Sequence, residues 1–293
     1  MSRPRPGRSA LILGPSGSGK SHLLLTALQH EGSGIGILAL GLDELESYRP
    51  LYDQAEILAT PEDVDRVVQR QDDGSWRIVT DKPFVLAAFD DVDFYPSLGQ
   101  WDAKALESVV TFLRIVRAEQ ARHVAEKGEP RWKVLGLDTY SGLGELAYNA
   151  MLSSMRRTEP PKARGDGGAE FYMGYFGKLI EVSRACRAIR GYGAHWIATS
   201  HIQIKEATDS YSGQDVIAKE QHLPMFTGSF REKVPSFFDL VLFTGISTKA
   251  KHYAQWEPDK FKQSKSRYEL DEGKMDAKRR IENDWRVISE AIL

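Results

Sequence analysis

The sequence predicts an α/β fold, a mostly parallel sheet with helices on both faces, because short apolar runs alternate with amphipathic stretches along its 293 residues. The first apolar run, Ser9 to Leu13, passes straight into the glycine-rich segment GPSGSGKS and then into His22 to Leu28, whose leucines recur on one helical side. Two later runs, FVLAAFDD at 84–91 and VLGLD at 134–138, end in aspartate.

A second strand is expected in GIGILALGL (34–42). It runs into an acidic group, Asp43, Glu44 and Glu46, where a cleft at the carboxyl ends of the strands would sit. Residues 61–70 read as a helix capped by Thr60 with Pro61 in its first turn, and DDGS (72–75) reads as a turn. Leu106, Val109, Val110, Leu113 and Val116 recur at helical spacing, which predicts one long helix over 102–127. Phe171, Tyr175, Leu179, Val182 and Cys186 do the same over 170–190, while HWIATS (195–200) and FDLVLFTGI (238–246) complete the strands. Two stretches fit neither pattern. Residues 153–169, with two prolines, three glycines and an excess of basic charge, read as a mobile loop; residues 203–235, polar and without a sustained period, read as a long functional loop.

Hydrophobic residues make up 41% and charged residues 27% of the chain, which excludes wholesale disorder and fibrous folds. No apolar run approaches the roughly 20 residues of a membrane-spanning helix, and the opening MSRPRPGRS lacks the apolar stretch of a signal peptide, so a cytoplasmic location and no membrane partner are expected. The single cysteine, Cys186, can make neither an intramolecular disulfide nor a cysteine-based zinc site, and reads as a buried thiol on its helix.

GPSGSGKS satisfies the pattern G-x-x-x-x-G-K-[ST] with Gly14, Pro15, Ser16, Gly17, Ser18, Gly19, Lys20 and Ser21, placed between a strand and a helix. This segment is expected to hold the phosphates of ATP together with Mg2+. The glycines let backbone N–H groups turn inward around the phosphate oxygens, and the following helix adds about half a positive charge at its start. Lys20 should reach the β- and γ-phosphates and Ser21 should ligate the magnesium. A carboxylate at the end of a neighbouring strand should hold that ion through its water shell. Asp138 is preferred; Asp90 and Asp91 are the alternative, since Asp93 and Pro96 make them resemble a helix cap. Glu44, with Asp43 behind it, is the candidate to orient or deprotonate water, beside the plainer reading of solvated carboxylates opening a helix. Thr199, Ser200 and His201 end another strand and are candidates to sense the γ-phosphate, with an ordinary core or surface histidine as the plainer reading of His201.

With GPSGSGKS near the N-terminus, KVLGLDTYSGL, WIATSH and LPMFTGSFREKVPSFFDLVLF before a basic KSKSR, the chain resembles a RecA-like P-loop NTPase core over residues 9–270. More narrowly, it looks like the phage-encoded AAA-domain nucleotide-binding proteins related to single-strand annealing recombinases. The resemblance implies an ATPase domain over residues 1–270, with long loops, and a C-terminal helical extension over 271–293. It also implies a Mg2+-dependent ATP hydrolase, a homo-oligomer, single-stranded DNA as partner, and a phage or host single-strand binding protein as a further one. In such proteins, polar residues at a strand end report nucleotide state to a DNA-binding loop, matched here by Thr199 to His201 and residues 203–230. Another DNA-contacting loop follows the aspartate strand and its helix, where this chain has Arg156, Arg157, Lys162 and Arg164. A Lys-x-Arg pair that enters the neighbouring subunit's site is matched by Lys265 and Arg267. The chain departs from the family pattern in its second strand, whose acidic group is shifted from the Asp-x-Glu arrangement.

The leading functional expectation is an ATPase that binds single-stranded DNA in recombination, annealing or replication. Residues 249–280 add to it, with ten Lys or Arg against six Asp or Glu and with Tyr253, Trp256, Phe261 and Tyr268 as possible stacking faces. The alternatives are a small-molecule P-loop kinase and a protein-directed assembly or motor ATPase. In the latter, the stripe of Ile281, Trp285, Ile288 and Ile292 would dock a partner, unless it packs on the chain's own core.

Overall fold

The computed structural model describes residues 4–39, 42–89, 105–157, 159–162, 167–209, 216–256, 265–269, 271–276 and 279–292. Its elements, in chain order, are β1 (Ser9–Gly14), α1 (Lys20–Glu31), β2 (Gly34–Ala39), a 3-10 helix (Leu42–Gln54), β3 (Ala55–Leu58), α2 (Pro61–Val67), β4 (Val68–Arg70), β5 (Trp76–Ile78) and β6 (Phe84–Phe89). They continue with α3 (Ala105–Lys127), β7 (Val134–Asp138), α4 (Tyr140–Ser154), α5 (Gly168–Arg190), β8 (His195–Asp209), β9 (Val216–Pro224) and α6 (Phe230–Lys233). The last are β10 (Leu240–Ile246), β11 (His252–Gln255), β12 (Lys265–Ser266), β13 (Arg280–Glu282) and α7 (Trp285–Ala291).

Among the described residues the main sheet runs in the order β13-β11-β10-β1-β8-β7-β2-β6-β3. The seven strands from β10 to β3 are mutually parallel, while β11, β12, β13 and β9 join antiparallel. The fold is therefore α/β with a mostly parallel sheet, as the alternation of apolar runs predicts.

The two faces of the sheet explain why its central strands are apolar throughout. Leu11 and Leu13 of β1 face the core formed with α3, α4 and α5, whereas Ala10 and Ile12 face the core formed with α1, the 3-10 helix and α7. Every residue of β1, β2, β6 and β7 is buried. Burying one such Leu or Ile contributes about 1.5–3 kcal/mol, so the sheet forms a stiff platform for the loops at its carboxyl edge. Cys186 lies fully buried in α5, where burial pushes its thiol well above the usual range, as expected of an inert thiol.

Several sequence expectations change here. The helix expected over 61–70 stops at Val67. Its start is capped as predicted, with Thr60 Oγ1 accepting from Asp63 N at 3.2 Å, but Val68 to Arg70 pair with Trp76 to Ile78 across the DDGS turn. That hairpin buries the β-branched Val68 and Ile78, which favour extended backbone. The helix expected over 102–127 is described from Ala105 onward.

In its described parts, the stretch 203–235 is not a loop. Strand β8 continues past the sheet to Asp209 and folds back as β9, pairing Ile202 with Pro224 through to Asp209 with Val216, with an irregularity at Ala207/Thr208. After β9, Phe230 to Phe237 form two short helical turns. The basic stretch 249–280 is likewise largely structural in its described parts. Trp256 is buried, Arg280 lies over the Tyr253 ring at 4.3 Å, and Tyr268 donates to Asp239 Oδ2 at 3.2 Å, so these aromatics are not the free stacking faces expected. Phe261 lies outside the described residues.

The C-terminal apolar stripe packs inward. Ile281, Trp285, Ile288 and Ile292 are all buried in the core that contains α1, and Trp285 N donates to Thr26 Oγ1 at 2.9 Å. The stripe thus packs on the chain's own core, the reading set against a docking surface in the sequence. Among the described residues, no helix is long and apolar enough to cross a membrane.

Candidate functional site

The carboxyl ends of β1, β7 and β8 converge on the start of α1. Gly14 ends β1, Gly17 and Gly19 have φ of 72° and 90°, and α1 begins at Lys20 with Ser21 next to it. Positive φ at two positions so close together turns successive N–H groups toward one side, a geometry that side-chain-bearing residues resist. Pro15 and Ser16 form the exposed outer turn, and Ser18 is pinned from beneath by its hydroxyl contact with Thr244 of β10 at 2.8 Å. Thr244 in turn donates to Leu13 O at 3.2 Å.

Lys20 Nζ donates to Pro15 O at 2.8 Å and stands 3.4 Å from His201 Nδ1. Burial lowers its pKa, while the nearby Asp138 and Glu44 oppose the shift. Asp138 ends β7, almost fully buried. Its Oδ2 accepts from Tyr48 Oη at 2.8 Å and its Oδ1 accepts from the hydroxyl of Thr199. Glu44, on the 3-10 helix, has its carboxyl pushed up to about 9, first by burial and then by Asp138, against a lowering from Lys20. Its Oε2 is buried with no hydrogen-bond partner among the described residues. Lys20, Asp138 and Glu44 therefore form one electrostatic cluster in a site of low dielectric.

Burial and then Lys20 lower the pKa of His201, against a raising influence from Asp138. Its backbone N donates to Ser141 Oγ at 3.2 Å, and Ser141 donates to Thr139 Oγ1 at 3.1 Å. Thr139 caps α4 by accepting from Gly142 N at 2.9 Å. A hydrogen-bonded path thus leads from Lys20 through His201 to the start of α4.

These residues fit a phosphate and a divalent ion. The loop offers inward N–H groups with a lysine, and the Ser21 hydroxyl and the Asp138 carboxylate would hold Mg2+, which takes one or two protein ligands plus waters and phosphate oxygens. The unpartnered Glu44 Oε2 and the Asp138–Glu44 pair leave carboxylate character for which a cation is the natural complement. Bound there, Mg2+ would supply positive charge to the phosphates and favour ionised Glu44.

Sequence reading and structure diverge at Thr199, and the remaining expected site residues lie away from the loop or outside the described residues. Thr199, expected to face the nucleotide, is fully buried and gives its hydroxyl to Asp138 instead. Arg267 lies at the opposite end of the sheet from the P-loop. Its Nη1 is 3.0 Å from Asp239 Oδ1, at the amino end of β10, so it takes no part in its own chain's phosphate site. Lys265 pairs through its backbone with Val241 at that same end. Of the basic residues after α4, Arg156 and Lys162 are exposed and Arg157 is half-buried, whereas Arg164 lies outside the described residues, as do Asp90 and Asp91; the side chain of Asp43 does too. Tyr48, Thr244 and Asn283, whose Nδ2 donates to Gly19 O at 2.8 Å, support the site without any local sequence signal.

The profile of the AAA domain family matches residues 7–280. The chain belongs to the AAA domain family. The glycine-rich loop and the parallel sheet described above lie within the matched residues. No curated protein matches its sequence. Among solved structures, the AAA domain is similar to the flagellar accessory protein FlaH of Methanocaldococcus jannaschii, at 11% identity, TM-score 0.38, covering 86% of this chain and 78% of that one. It is also similar to the KaiC-like protein PH0186 of Pyrococcus horikoshii OT3, at 12% identity, TM-score 0.36, covering 86% and 80%. The RadB recombinase matches at 13% identity, TM-score 0.38, covering 87% and 85%.

Proposed function

We propose that this AAA domain is a Mg2+-dependent ATPase that binds single-stranded DNA and couples hydrolysis to DNA recombination, annealing or replication. One observation carries the reading: a cavity of about 560 Å³ shares Thr139, Ser141 and His201 with the phosphate site and has Tyr148, Gln203, Met225 and Arg231 among its other walls. Half-buried Tyr148 offers an unstacked base a ring, whose stacking contributes about 1–3 kcal/mol, and Arg231 a charge for its phosphate. The same strand, β8, carries His201 beside Lys20 and continues outward as the β8–β9 ribbon, so in this reading a change at the γ-phosphate would be passed through His201 to one wall of the cavity. In this reading Lys20 and His201 bind the terminal phosphates, Glu44 orients water, and exposed Arg156 and Lys162 meet the DNA backbone. Homo-oligomerisation would bring Lys265 and Arg267 to a neighbouring copy, Arg267 exchanging its Asp239 contact for the neighbour's phosphate.

Binding to a labelled single strand tests the DNA arm. Affinity should be measurable at low salt and fall as salt rises, and replacing Arg156 and Lys162 together should reduce the log–log salt slope by about 1.4, or 0.7 per lost contact. Absence of binding at low salt, or binding insensitive to salt, would remove this arm. A second reading draws on the same cavity, which also lies where a small-molecule kinase would hold an acceptor. Transfer of the γ-phosphate to a metabolite rather than to water would favour it.

A further inference from the structure

A cavity of about 710 Å³ opens at the amino edge of the sheet, between the β4–β5 hairpin and the last turns of α3. Arg131 and Trp132 lead from it directly into β7, whose far end carries Asp138, so this cavity and the phosphate loop lie at opposite ends of one strand. Its volume falls within the roughly 300–1,000 Å³ of small-molecule sites.

Three guanidinium groups in its wall converge on one buried carboxylate. Glu119, 1% exposed, accepts through Oε2 from Arg122 Nη2 at 2.7 Å and from Arg131 Nη1 at 3.2 Å, and its Oε1 stands 3.7 Å from Arg77 Nε. Arg131 is anchored. It also donates to Ile78 O and Thr80 O, each at 2.7 Å, and lies 4.5 Å over the Trp132 ring. Arg122 gives its Nη1 to Glu126 at 2.7 Å, yet its Nε is buried with no hydrogen-bond partner among the described residues. The Arg77 contact is too long for a hydrogen bond, which leaves that half-buried fork of N–H donors to the cavity it lines. Burial lowers the pKa of Arg131, and Arg122 and Arg77 add to that effect against Glu119, the sign of positive charge in local excess. Of the other carboxyl groups in the wall, Glu56 is taken by Arg66 at 2.8 Å and by the Thr80 hydroxyl at 3.3 Å. Asp81 is exposed, where water screens it.

We infer that this cavity binds a small phosphomonoester, with the phosphate on Arg77 and Arg122 and the organic part against Val79 and the His123 ring. Guanidinium donors arriving from two elements, the hairpin and α3, suit the three acceptor oxygens of a phosphate better than the two of a planar carboxylate. Val79 is 50% exposed, apolar surface that an organic group would cover, and His123 is tethered beside it by its Nδ1 contact with Glu129 O at 2.9 Å. The site is independent of the phosphate loop and of the nucleotide reading.

Equilibrium binding of ribose 5-phosphate, inorganic phosphate and acetate to the full chain tests this, each measured with Mg2+ and a saturating non-hydrolysable ATP analogue to fill the phosphate loop. Ribose 5-phosphate should bind at least about tenfold more tightly than acetate and more tightly than inorganic phosphate. Arg77→Ala should weaken it by about tenfold, as expected when a charge-assisted hydrogen bond is lost. Arg77→Lys, which keeps the charge without the planar fork, should restore only part of that loss. Circular dichroism should be the same for all three proteins. No binding of ribose 5-phosphate at millimolar concentration, or affinity unchanged in Arg77→Ala, would overturn the inference. So would acetate or inorganic phosphate binding as tightly as the ester, or binding that is lost in Lys20→Ala and kept in Arg77→Ala, which would put the anion in the phosphate loop.

Discussion

Replacing Lys20 with alanine should lower ATP turnover by about 10²–10³-fold, the loss typical when one preorganised charge facing the transition state is removed. The size follows from the position of the side chain. Lys20 Nζ is the cation set between Asp138, Glu44 and His201, buried enough that water screens it poorly. Without it, the terminal phosphate would meet two carboxyl groups with only the metal as counter-charge. Glu44, already raised to about 9, would lose the lowering influence of Lys20 and be ionised less often, leaving fewer carboxylates to take a proton from water. The backbone of the loop should persist, because Gly17, Gly19 and the Ser18–Thr244 contact do not depend on this side chain. Steady-state hydrolysis beside circular dichroism checks both halves; a folded variant with undiminished turnover would remove Lys20 from the site.

Trp285→Ala should cost about 3–5 kcal/mol, a large share of the roughly 5–15 kcal/mol that holds a domain together, and lower the melting temperature by roughly 10 °C. Trp285 is 1% exposed and packs with Ile288 and Ile292 against the leucines of α1. Truncation leaves a void beneath the helix that carries Lys20 and Ser21. The same segment reaches the phosphate loop through Asn283, so nucleotide affinity should fall together with stability. We therefore propose that residues 271–293 fold as part of the ATPase core, with one unfolding transition. Thermal denaturation with and without Mg-ATP measures both effects. A variant with an unchanged melting temperature would make α7 an appendage.

The phosphate loop was legible because its geometry is local. A cradle of inward N–H groups needs positive φ at fixed offsets, and glycine at 17 and 19 answers that within eight residues. The central strands were legible for a different reason: burial on both faces makes them continuous apolar runs. The β8–β9 ribbon escaped notice because a two-stranded hairpin that leaves the sheet has no such run to mark it, and its polar sequence imitates a loop. Nor did the sequence disclose what holds Asp138 and the loop in place. Tyr48 and Asp138 are 90 residues apart, Ser18 and Thr244 226, and Gly19 and Asn283 264, so their pairing exists only once the sheet has formed. Thr199 shows the complementary error. Thr199 and His201 share one face of β8, but Thr199 lies one pleat deeper, where its hydroxyl is given to the neighbouring strand's Asp138, and His201, nearer the loop, is the one that stands beside Lys20.

The measurement that bears most directly on the central claim is steady-state ATP hydrolysis by the full chain, with and without Mg2+ and with and without single-stranded DNA. The expected result is Mg2+-dependent turnover that rises on addition of single strands and returns to its basal rate as salt displaces them. Turnover that ignores Mg2+, or that is the same with and without DNA at low salt, would contradict the account.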